Sequence, residues 1–76
     1  MTETGDLLEL RRLVRSGEAR LIRTAAGLPA RSVAADLGVS VASLNRWETG
    51  KVTPNRGHAV RWLRLLRHIQ AAQEGG

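Results

Sequence analysis

The sequence predicts an all-α fold, a compact bundle of four to five helices ending in a long one. Apolar residues recur at three- and four-residue steps through most of the chain. No stretch alternates apolar and polar residues with the period of a strand, and the chain has no phenylalanine or tyrosine. Gly27, Gly38, Gly50 and Pro54 fall between the periodic segments, where they punctuate helices.

The elements follow in order. Leu7, Leu10 and Val14, then Leu21 and Ala25, share one helical face interrupted at Ser16-Gly17. This predicts helices over 6–15 and 18–26, or one helix bridging Gly17 at a cost of about 1 kcal/mol. Gly27 is a natural left-handed cap, and Pro29 suits the first turn of the next helix. Val33, Ala34 and Leu37 give that helix, 29–37, an apolar face, and Gly38 closes it. Ser40 is a good N-cap for a helix carrying Val41, Leu44 and Trp47 at a three-residue step. Thr49-Gly50 ends it, and 51–55 reads as a loop. The last helix runs over 55–72, where Ala59, Trp62, Leu63, Leu65, Leu66 and Ile69 cover an arc of about 160°. Arg61, Arg64, Arg67 and His68 lie opposite. The tail 73–76 is read as frayed.

Seventy-six residues make one domain, 1–76. A chain of this size buries only about 60% of its unfolded surface, which leaves little room for a catalytic pocket or a sensing domain. It has no cysteine, hence neither disulfide nor thiolate metal site. No apolar run approaches the roughly 18 residues of a membrane span, and the polar start, Met1–Asp6, does not read as a signal peptide. A cytoplasmic location is expected.

Charge points further. Eleven arginines and one lysine face seven acids, for a net +5. Residues 1–30 hold five bases and four acids, net +1, and residues 31–76 hold seven and three, net +4. A small basic domain attracts a polyanion, because neutralising phosphates releases their counterions.

The span 30–49 has the makings of a helix-turn-helix. Two short helices crossing steeply need a turn of three or four residues, often with glycine, and Gly38-Val39-Ser40 supplies it. Ala34 is small where the following helix crosses, Val39 tucks under the turn, and Leu44 and Trp47 pack the second helix down. On these motifs residues 20–56 resemble the Cro/C1-type (Xre) helix-turn-helix family of phage repressors and bacterial regulators. The stretch from Ala26 to Ala34 is similar to that family's glycine-leucine entry into its scaffold helix, and Leu37 to Ser40 to its turn. Leu44 to Lys51 resembles its recognition helix, ending in an acid-x-glycine-basic signature, and Pro54 falls where a proline is usual.

The resemblance implies a DNA-binding regulator whose base-facing residues are Val41, Ala42, Ser43, Asn45 and Arg46. Their chemistry agrees. An arginine fork matches guanine O6 and N7, apolar side chains meet thymine methyls, and an asparagine reads adenine or else holds a phosphate. Phosphate contacts are expected from Thr49, Lys51, Thr53 and Arg56, and from Arg31 and Ser32 at the start of the scaffold helix. The family commonly has a glutamine where this chain has Ala30, so that contact is missing. Arg23 and Glu48 occupy positions that the family joins in an ion pair. The chain departs from the family after Pro54, where one long helix replaces a short helix and a turn.

Trp47 and Trp62 match the apolar faces and read as core. His58 and His68 have no third ligand nearby, so no metal or other cofactor is expected. Ser40 and Ser43 lie near no histidine in sequence, and no enzyme activity is expected. The expected partner is double-stranded operator DNA, with neither membrane nor small-molecule ligand. The apolar faces of 6–15 and 56–72 exceed what one small core needs, which predicts a homodimer through the C-terminal or the N-terminal helix. An alternative is an antitoxin or adaptor module that uses the N-terminal extension, 1–16, against a protein.

Overall fold

The computed structural model describes residues 3–74, whose regular elements are α1 Glu3–Ser16, α2 Glu18–Ala25, α3 Ala30–Leu37, α4 Val41–Glu48 and α5 Arg56–Glu74. Among the described residues there is no strand. The architecture is the all-α bundle with a long last helix. α1 begins earlier and α5 ends later than the periodicity suggested, so Gln73 and Glu74 are helical rather than frayed. The rest of that tail, 75–76, lies outside the described residues.

Gly17 decides the break between α1 and α2. Its φ of 81° lies in the left-handed region, and its N–H donates to the Val14 carbonyl at 3.1 Å. The break resets the helical phase, which corrects the apolar face read across it. Leu21 is 61% exposed and Ala25 is exposed, while Ala19, Ile22 and Arg23 point inward. Leu13, outside the face counted from sequence, is buried beside Leu10.

Pro29 stands one residue outside α3, as its extended N-cap, instead of within the first turn. Gly38 ends α3 with φ 72°, allowing Val39 N–H to donate to the Ala34 carbonyl at 2.9 Å and Gly38 N–H to Ala35 at 3.1 Å. This pairing satisfies carbonyls that the helix end would otherwise orphan. Two residues later the Ser40 hydroxyl accepts from Ser43 N–H at 3.0 Å and starts α4. The turn is therefore closed from both sides by hydrogen bonds.

α5 is the axis of the bundle and packs on α1, α2 and α3. Its Ala59, Trp62, Leu63, Leu66 and Ile69 are buried, with Trp62 fully so, and Leu65 packs half-buried beside them. The breadth of this arc has its explanation inside the chain, since three helices must be covered. The inward face of α1, Leu10 and Leu13, is likewise spent on the core. Much of both faces is used within the chain, while Leu7 and Val14 stay half-buried and Leu8 is 60% exposed. α1 and α5 are also joined by charge, because Arg67 donates to Asp6 at 3.2 Å and to Glu9.

One buried polar contact crosses the core. Arg23 Nε donates to Glu48 Oε2 at 2.7 Å and Nη2 to Oε1 at 3.0 Å, a two-pronged pair with both side chains under a tenth exposed. Nη1 donates to the Leu28 carbonyl at 3.0 Å. The Glu48 hydrogen bonds hold the guanidinium above the usual arginine value, against the desolvation that lowers it.

Two stability outcomes follow from this packing. Leu44 is 0% exposed, so Leu44→Ala should lose about 2–5 kcal/mol in urea denaturation; a loss below about 1 kcal/mol would mean that α4 is not anchored there. Glu48→Ala should cost about 3–5 kcal/mol by leaving Arg23 buried and uncompensated. Combining it with Arg23→Met should recover part of that loss, and a double variant no more stable than Glu48→Ala alone would contradict this account.

Candidate nucleic-acid interface

α4 is two-sided. Stepping 100° per residue, Val41, Ala42, Asn45, Arg46 and Thr49 fall within an arc of about 140°, and all five are exposed. Leu44, Trp47 and Glu48 occupy the opposite side and are buried. Ser43 sits at the edge, half-buried, and accepts a hydrogen bond from the Ser40 hydroxyl at 3.0 Å. Of the residues assigned to bases, four therefore share one solvent-facing surface and Ser43 borders it.

The buried side holds this surface still. Leu44 has no exposure, and Trp47 lies against Trp62 with ring centroids 5.8 Å apart and against His58 at 5.6 Å. Both tryptophans are core residues. The Arg23 fork grips Glu48, the last residue of α4. Rotating or sliding α4 would break a bidentate ion pair and unpack an aromatic pair together. Side chains on the outer arc are thus carried by a rigid rod.

The residues assigned to phosphates lie on the segments that precede and follow α4 in the chain. Arg31 and Ser32 are exposed in the first turn of α3, and Lys51, Thr53 and Arg56 are exposed between the end of α4 and the start of α5. The loop leaves α4 through Gly50, with Lys51 N–H donating to the Arg46 carbonyl at 2.9 Å. Asn55 Oδ1 accepts from His58 N–H at 2.9 Å and caps α5. The first turns of α3, α4 and α5 carry no acid, so the positive ends of those helix dipoles are not offset locally. Thr49 differs from the rest, because its hydroxyl faces the Asn45 and Arg46 carbonyls at 2.9 and 3.3 Å and its proton is committed to the helix. Ala30 packs against the core.

Arg11 and Arg15 had no role in the sequence reading. The fold brings them, on the exposed side of α1, to the border of a cleft whose other wall is the loop Gly50 to Pro54. Their four-residue spacing was visible as one helix face. That α1 lies beside this loop was not.

Among the described residues no helix is long and apolar enough to cross a membrane. No curated protein and no solved structure matches the chain. A family model for a helix-turn-helix domain matches residues 16–74, which take in everything from the end of α1 to the end of α5. With an exposed helix held by its buried face after a glycine-closed turn, and with this match over most of its length, the chain belongs to the helix-turn-helix domain family.

Proposed function

We propose that the protein is a sequence-specific double-stranded-DNA-binding transcriptional regulator, a repressor of Cro/C1 type, that reads the major groove with α4. What carries this reading is the division of α4 into a locked apolar side and an exposed side bearing Val41, Ala42, Asn45 and Arg46. The major groove admits a helix of this width, and its base edges offer the acceptors and methyl groups that such side chains match. Arg46 takes the guanine contact, Val41 and Ala42 the thymine methyls, and Asn45 an adenine or a phosphate. Ser43 stands at the margin of the groove.

Arg31, Ser32, Lys51, Thr53 and Arg56 hold the flanking phosphates, and helix-start amides add to them. Thr49 contributes less than these, since its hydroxyl proton is already used. Repression arises from occupying a promoter. Two copies on a palindromic operator would sit about 34 Å apart, one helical turn. The two copies pair as a homodimer through the C-terminal or the N-terminal helix, the latter having Leu8 60% exposed and Leu7 and Val14 half-buried. An antitoxin or adaptor role for residues 1–16 would have only the outward side of α1 to use, since Leu10 and Leu13 are buried.

Selection from a random duplex pool should yield one enriched sequence, palindromic if two copies bind; a pool that never converges would overturn the proposal. Arg46→Ala should weaken binding to that sequence by about 1–3 kcal/mol and relax preference at one base pair. Unchanged preference would remove Arg46 from the bases. Lys51→Ala should weaken cognate and random duplexes alike and reduce the log–log salt slope by about one unit. A loss confined to the cognate duplex would take Lys51 off the phosphate.

A further inference from the structure

The packing of α1 against the segment after α4 leaves a cleft of ≈ 350 Å³, bordered on one side by Thr53 and Arg56 of the proposed phosphate contacts. This is at the lower end of the about 300–1,000 Å³ typical of small-molecule sites. Its floor is apolar and buried, made by Leu10, Trp47, Ala59 and Trp62. Leu7 and Val14 line one wall, and Val52 and Pro54 the other.

Trp62 is 0% exposed, and its indole Nε1 is a buried donor with no acceptor among the described residues, so it takes no part in the chemistry of the cleft surface. Charge gives the cleft its chemical preference. Arg11, Arg15 and Arg56 line the cleft, and no acidic residue does. Arg11 and Arg15 are exposed, and neither side chain makes a hydrogen bond or ion pair among the described residues. An apolar floor beneath an arginine border fits a molecule with a hydrocarbon body and one anionic, acceptor-only head.

We propose that this cleft is a binding site for a small amphiphilic carboxylate, its apolar body on the Trp47–Trp62 floor and its carboxylate against Arg11 and Arg15. The guanidinium fork suits a carboxylate geometrically, and its charge-assisted hydrogen bonds are stronger than neutral ones. The site exists only because α1, most of which precedes the matched domain at 16–74, is folded onto it.

The chain's only two tryptophans both line the cleft, so its own fluorescence reports occupancy. Octanoate titrated into the DNA-free protein should produce a saturable change in tryptophan emission. Octanol, equal in chain length but uncharged, should bind about tenfold more weakly, and so should octanoate to Arg11→Ala/Arg15→Ala, whose fold circular dichroism should show intact. Arg20→Ala/Arg64→Ala, which removes the same charge from exposed positions outside the lining, should bind octanoate like the parent chain. The proposal is overturned if emission never saturates, if octanol matches octanoate, or if the two double variants behave alike. No duplex takes part, so the result is independent of the DNA-binding reading.

Discussion

The arrangement of the molecule turns on one side chain, the guanidinium of Arg23. It joins three elements: α2, which carries it, the Leu28 carbonyl at the entry to α3, and Glu48 at the end of α4, 25 residues away. A buried ion pair is a poor source of net stability, because desolvating both charges offsets most of their attraction. Its effect is positional. Each prong has one acceptor at hydrogen-bond length, so α4 cannot shift along its axis or roll without leaving a charge unmatched in the core. Lysine could not replace it, having a point charge where the site needs a planar fork.

Around that constraint the apolar core does the stabilising. Trp62 and Leu63 on α5 and Leu44 on α4 are almost wholly withdrawn from water, and burying each contributes on the order of 2 kcal/mol. α5 is long because it must present one apolar arc to α1, α2 and α3 in turn. The short helices α3 and α4 would be marginal alone. They persist because each is closed at one end by a glycine and held on one face by this core. What faces outward from α4 is therefore free to be chosen for what it touches, since it lies outside the buried core.

α1 gives the domain a character of its own. Nearly all of it precedes the matched region, yet its Leu10 and Leu13 belong to the same buried core as the helix-turn-helix. Arg67 of α5 reaches Asp6 and Glu9 on it, so charge as well as apolar contact seats this helix. By lying against the loop from Gly50 to Pro54, it turns an exposed connection into the wall of a cleft with arginines along it. The extension thus alters the surroundings of the segment that leaves the proposed recognition helix.

The helices themselves were legible in the residues. Period and punctuation suffice to place α3, the turn at Gly38 and the Ser40-capped α4, because local hydrogen bonds and a left-handed glycine act within a few residues. The outward set on α4 was legible too, since Leu44 and Trp47 mark the inner side and leave Val41, Ala42, Asn45 and Arg46 on the outer. Apart from the Arg23–Glu48 pair, which the family resemblance implied, what required distance was not. Counting a face across Gly17 misassigned Leu21, because a left-handed residue resets the phase. The arc on α5 looked larger than one core requires, because a one-dimensional pattern cannot say how many neighbours a helix has. The orphaned Trp62 donor and the approach of Arg11 and Arg15 to the loop are products of helix packing alone: they depend on which residues far apart in the chain meet, and no local periodicity encodes that.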